Sequence, residues 1–256
     1  MNKKALGPVA AALLVLLSAC SGGETNGAPA AAPTFALRVD QETTGAIIGR
    51  VSFAGVAPEN PMAKLSGDPV CSRAHATGMA FENYVVNDGG LDNVFVYVKD
   101  LGNYRFDAPA EPVKLDQQGC RYVPHVLGVQ VGQPVEISNS DETMHNVHAV
   151  PRVNREMNIG QHVKDQKDTH TFTAAEVMVP LECDLHPWMN AYVGVVPHPY
   201  YAVTRDGGKF ELKNLPPGTY TIEAWHEKAG TQAQQVTIDS KATRGVTFTF
   251  KSAATN

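Results

Sequence analysis

Basic residues are in short supply in this 256-residue chain. Its 21 Lys and Arg stand against 26 Asp and Glu, a net charge of −5. That balance excludes a general nucleic-acid binder, which needs a basic face. Long apolar runs are missing as well: the N-terminal stretch Ala10 to Leu17 is too short to cross a bilayer as a stable helix. Helical periodicity is scarce. Aromatics make up only 7% of the residues. They form no evident row for gripping sugars, although Tyr200, Tyr201 and Trp225 could contribute to one. Only 4 cysteines occur, so each bears on the argument. The hydrophobic share of 43% is ordinary, so a packed core is expected, in one large domain or two small ones.

What is present begins with a charged "MNKK", the short apolar run and "LSAC". This order reads as a secretory signal. Leu17-Ser18-Ala19-Cys20 resembles a bacterial lipobox. The resemblance implies signal residues 1–19, a lipid on Cys20 and a membrane-anchored chain in the cell envelope, on the periplasmic side or the outer surface. Residues 20–44 include the Gly/Ala/Pro-rich "SGGETNGAPAAAPT" and read as a flexible tether. Export implies an oxidising compartment. Cys71, Cys120 and Cys183 remain, an odd number, so one lacks an intramolecular partner. Cys183 lies near His186 and Met189 and suits the unpaired thiolate. Cys71 and Cys120 are then either a disulfide or two buried thiols.

Beyond the tether, short β-branched and aromatic runs bounded by Gly, Pro, Asn and Asp recur with a period of two, as in "GAIIGRVSF", "NVFVYVKD", "GKFELKNL" and "GTYTIEAW". They predict an all-β protein built from sandwiches or barrels. The polar stretch "VHAVPRVNREMNIGQHVKDQKD" is either a loop or a weak strand pair. In the last third, Asp206-Gly207-Gly208 marks a hairpin turn and Pro216-Pro217-Gly218 a second tight turn. The run "TRDGGKFELKNLPPGTYTIEAWHE" resembles the carboxypeptidase regulatory-like (prealbumin-like) β-sandwich, with "GAIIGRV" and "NVFVYV" in that family's upstream strand slots. The resemblance implies a discontinuous sandwich over 45–105 and 199–251, with a second module inserted at 106–198. Two tandem domains is the alternative.

The inserted stretch carries "VGQPVEISNSDETMHNVHAV" and "VPLECDLHPWMNAYVGVV". Cys183, His186 and Met189 are spaced by three, so they cannot share one face of a strand, whose period is two. The chain must loop there, and Pro187 disfavours a helix. A thiolate, imidazoles and a thioether suit copper in both of its common oxidation states. These motifs resemble the cupredoxins, Greek-key β-sandwiches that hold one type 1 (blue) copper, and C-x2-H-x2-M is most similar to the amicyanin loop. The resemblance implies His145, Cys183, His186 and Met189 as copper ligands, supported by Asn146, Pro187 and Trp188. It also implies an exposed His186, with Pro187 and Trp188 forming an apolar patch for electron exchange. Leu181 departs from the aromatic residue that many cupredoxins carry two positions before the cysteine, and the flanking Glu182 and Asp184 are also unusual.

A four-donor site leaves no position for a substrate, so an electron carrier with an unidentified redox partner is expected rather than an enzyme. Three alternatives stand beside it. His148 could complete a zinc site with His145, Cys183 and His186. The chain could bind copper for delivery or buffering. The regulatory-like sandwich could bind surface glycans.

Overall fold

The computed structural model describes residues 37–252. The signal, the lipidation site at Cys20 and most of the tether lie outside the described residues. No helix among the described residues is long and apolar enough to cross a membrane. The fold is nearly all-β, as the period-two runs predict. The strands in chain order are β1 (Gly45–Phe53), β2 (Val86–Asn87), β3 (Gly90–Leu91), β4 (Phe95–Val98), β5 (Val113–Gln117), β6 (Tyr122–Val123), β7 (Val126–Gln130), β8 (Pro134–Asn139), β9 (His145–Ala149), β10 (Met157–Gln161), β11 (Lys167–Thr171), β12 (Glu176–Glu182), β13 (Asn190–Val196), β14 (Tyr201–Val203), β15 (Lys209–Leu215), β16 (Gly218–His226), β17 (Gly230–Ile238) and β18 (Thr243–Phe250). One short helix, α1 (Pro69–Ala74), lies between β1 and β2.

The strands sort into four sheets. One sheet runs β15-β1-β3-β2, with β18 parallel to β1 from Ala46↔Thr243 to Phe53↔Phe250. A second runs β14-β4-β16-β17. Both therefore combine strands from before residue 100 with strands from after residue 200. Their shared core holds Ile47, Val51, Val96, Leu212, Ile222 and Phe248. The strands between form the other two sheets, β10-β9-β12-β13-β7 and β11-β8-β5-β6. Leu115, Val129, Ile137, Val147, Leu181 and Val193 pack between these. The polar stretch after His148 resolves into a strand pair, since β10 runs antiparallel to β9 from Met157↔Ala149 to Gln161↔His145.

The unbroken apolar run of β4 has a physical reason. Val96 and Val98 face the first core, whereas Phe95 and Tyr97 face Val126 and Val196. The strand is buried on both faces, so alternation with polar residues would leave unpaired groups inside. Gly128 and Gly194 permit the close approach. A Cβ on Gly194 would sit 2.4 Å from Phe95 Cζ, and one on Gly128 2.3 Å from Tyr201 Cδ2. At the predicted turn, Asp206, Gly207 and Gly208 all have positive φ, and a Cβ on Gly208 would meet the Val51 carbonyl at 2.0 Å. Only glycine fits there.

The helix follows from "DPVCSRA". Asp68 is the N-cap and accepts from the Val70 and Cys71 N–H groups, with Pro69 in the first turn. Cys71 on this helix is disulfide-bonded to Cys120. Together with Leu65 and Met79, the disulfide belongs to the same core as Trp188 and Met189.

Candidate metal centre

Two sheet ends build the site. β8 ends at Asn139, whose side chain shapes the following turn by accepting from the Asp141 N–H and donating to the Thr143 carbonyl. His145 then opens β9. Across from it, β12 ends at Glu182 and β13 begins at Asn190, with Cys183 to Met189 looping between them. The loop is closed on itself: the Cys183 N–H donates to the Met189 carbonyl at 3.2 Å, and the Met189 N–H to the His186 carbonyl at 2.9 Å. Asn146 straps the loop to β9, accepting from the Asp184 N–H and donating to the Asp184 carboxylate, each at 2.9 Å. The Tyr122 hydroxyl, between the carbonyls of Asn146 and Glu182, ties β9 to β12.

This framework brings His145, Cys183 and His186 together. Their donor atoms all lie within 4.8 Å of one another, and all three side chains are buried. The two Nδ1 atoms are 2.9 Å apart, and Cys183 Sγ lies 3.6 Å from His186 Nδ1. Met189 is buried in the same core at the end of the loop. His148 does not join them. Three residues further along β9, it turns outward to Asp184 at 3.0 Å and Glu156 at 2.8 Å, so the H-x2-H zinc set is not assembled.

The expectation of an exposed His186 is corrected. His186 is 5% exposed, and Trp188 is buried as well. The Trp188 ring lies 4.9 Å from that of His186, and its N–H donates to the Cys120 carbonyl at 3.2 Å. The cover comes from the segment carrying α1, because His186 Nε2 meets Asp68 Oδ2 at 3.2 Å. Trp188 is therefore inner packing rather than a surface patch. Pro187 is exposed, and so is Leu185 at 50%; these are the apolar residues that the loop presents to solvent.

The protonation states of Cys183 and His145 depend on one another. Burial alone would raise the Cys183 pKa, yet His145, His186 and the N–H groups of Asn146 and Leu185 bring it down to about 6. Burial would lower His145, yet Asp141 and Cys183 raise it to about 9. Without an ion, the pocket therefore holds positive charge on His145 beside a thiolate. With the Nε2 atoms held by Asp141 and Asp68, both Nδ1 atoms face the sulfur, and an ion that displaces the His145 Nδ1 proton meets a lone pair from each ring. Three electron-pair donors facing one point fit a copper ion, which favours thiolate and imidazole.

Sequence reasoning missed Asp68 and Asp141. "DP" before an apolar residue is a readable helix start, and Asp141 stands four residues before His145. Neither signal indicates a histidine partner. The aromatic candidates for glycan contact do not form an exposed row: Tyr200 is buried, Tyr201 stacks on Phe95, and Trp225 leans on Tyr192.

The family model described as "Carboxypeptidase regulatory-like domain" matches residues 185–251, from the donor loop to β18. No curated protein matches. Among solved structures, the chain is similar to a purple cupredoxin from Nitrosopumilus maritimus, at 20% identity over 32% of this chain and 98% of that one, with a TM-score of 0.28. It is similar to an amicyanin variant in its Cu(I) form, at 27% identity over 39% of this chain and 97% of that one, with a TM-score of 0.30. It is also similar to a copper-containing nitrite reductase from Thermus scotoductus, at 21% identity over 39% of this chain and 25% of that one, with a TM-score of 0.29. The structural neighbours are cupredoxins, and the C-terminal part of the chain matches the carboxypeptidase regulatory-like family.

Proposed function

We propose that this chain holds one copper ion between His145, Cys183, His186 and Met189 and carries single electrons in the cell envelope. The observation that carries this reading is the convergence of His145 Nδ1, His186 Nδ1 and Cys183 Sγ in a buried pocket. Copper, when bound, supplies the one-electron Cu(I)/Cu(II) couple. The two imidazoles and the thiolate would hold it, with the Met189 thioether as a weaker fourth donor. The closed loop and the strap from Asn146 hold these donors in place. Trp188 and the segment around α1 exclude water. The Cys71–Cys120 disulfide supports an oxidising compartment, in line with export and a lipid anchor at Cys20.

Voltammetry of the copper-loaded protein tests the electron-carrier role against copper delivery. A reversible one-electron wave, with no loss of copper over repeated cycles, is expected of a carrier. Release of copper on each reduction would instead mark a delivery protein.

A further inference from the structure

We propose that Asp68 and Asp141 are positioning residues for the two histidines, braced from behind by the Cys71–Cys120 disulfide. The proposal rests on the metal reading above and concerns groups that never touch the ion.

His145 Nε2 lies 3.0 Å from Asp141 Oδ2, and His186 Nε2 lies 3.2 Å from Asp68 Oδ2. A carboxylate only accepts, so each Nε2 carries a proton and Nδ1 is the nitrogen of each ring that faces the pocket and can give a lone pair to an ion. Both carboxylates are themselves held. Asp68 Oδ1 accepts from the Val70 and Cys71 N–H groups at 2.7 and 2.9 Å, and Oδ2 accepts from Thr143 Oγ1 at 2.7 Å. Asp141 Oδ1 accepts from the Gly119 N–H at 2.8 Å, and Oδ2 from the Cys120 N–H at 2.7 Å. With these lone pairs occupied, neither carboxylate is free to swing in as a ligand.

The disulfide connects the two mounts. Cys71 stands three residues after Asp68 and donates its N–H to it, and Cys120 donates its N–H to Asp141. Thr143 links the turn that carries Asp141 back to Asp68. The path His186–Asp68–Cys71–Cys120–Asp141–His145 thus runs around the outer edges of both rings. It fixes their orientation independently of the loop that carries Cys183.

The competing explanation is that Asp68 merely caps a helix and Asp141 a turn. Asparagine separates the two. It caps a helix about as well as aspartate, but with Oδ1 kept on the helix N–H groups it turns an NH2 toward His186 Nε2–H, donor against donor. The test is Co(II) affinity, measured by competition with a chelator on the oxidised full chain, alongside thermal unfolding of the metal-free protein. Asp68→Asn and Asp141→Asn are each expected to weaken Co(II) binding by roughly 10–100-fold, with little change in the melting of Asp68→Asn. Nitrogen NMR of His186 in the metal-free parent is expected to show the Nε2–H tautomer, lost in Asp68→Asn. A parent that binds Co(II) with unchanged affinity in both variants would overturn the proposal alone. A parent that binds no Co(II) would overturn the metal reading and the proposal with it.

Discussion

Asp68 and His186 are 118 residues apart in the chain, yet their side chains meet at 3.2 Å. The contact closes the imidazole edge that a solvent-reaching loop histidine would leave open. It also makes the segment between β1 and β2 part of the pocket around His145, Cys183 and His186. His186 therefore has no bare edge at the surface, where the apolar residues of the loop are Leu185 and Pro187.

The disulfide should matter to stability as well as to the site. Cys71 and Cys120 enclose a sequence separation of 49, which corresponds to roughly 4 kcal/mol of loop-closure entropy. Replacing both by Ala should lower unfolding stability by about 2–4 kcal/mol, read from the urea midpoint at unchanged slope. A chelator should also strip metal from this variant faster than from the parent. Stripping at the parent's rate would show that the cover over His186 holds without the disulfide.

Gly194 is a packing requirement. Gly194→Ala places a methyl 2.4 Å from the Phe95 ring, and overpacking of this kind costs about 1–3 kcal/mol. Phe95→Leu in the same chain should recover part of that loss. Additive losses in the double variant would mean that the two positions do not press on one another.

His226 predicts a pH dependence. It is buried, and its Nδ1 accepts from the Lys228 and Ala229 N–H groups. Burial, with smaller contributions from His125 and Lys228, lowers its pKa to about 4 from 6.5. Between those values the unfolded chain binds the proton and the folded chain does not, so stability rises with pH. The contribution is complete above pH 6.5 and is lost as pH falls toward 4, about 3 kcal/mol in all. The stability difference between the parent and His226→Asn should shrink by that amount over the window. A difference that does not change with pH would contradict the assignment.

The strands were legible because a half-buried strand writes its burial into alternate residues, as Phe210 and Leu212 do in β15. β4 was legible for the opposite reason, as a short apolar run buried on both sides. The donor loop was legible because Cys183, His186 and Met189 are local, and their spacing excludes a strand or a continuing helix. His145 was found by order and family likeness. What stayed hidden was long-range. A carboxylate in a helix cap looks the same whether or not its second oxygen meets a histidine far along the chain. Nothing near His186 indicates that α1 folds over it. The β9–β10 pair was ambiguous because β10 alternates only weakly, with Met157 and Ile159 partly buried.

The central claim is that His145, Cys183 and His186 bind copper through the thiolate. The most direct measurement is the visible and electron paramagnetic resonance spectrum of the protein lacking residues 1–20 after one equivalent of Cu(II). The account predicts an intense thiolate-to-copper band in the visible, abolished in Cys183→Ser and shifted in Met189→Gln. A colourless protein, or a spectrum that Cys183→Ser leaves unchanged, would contradict it.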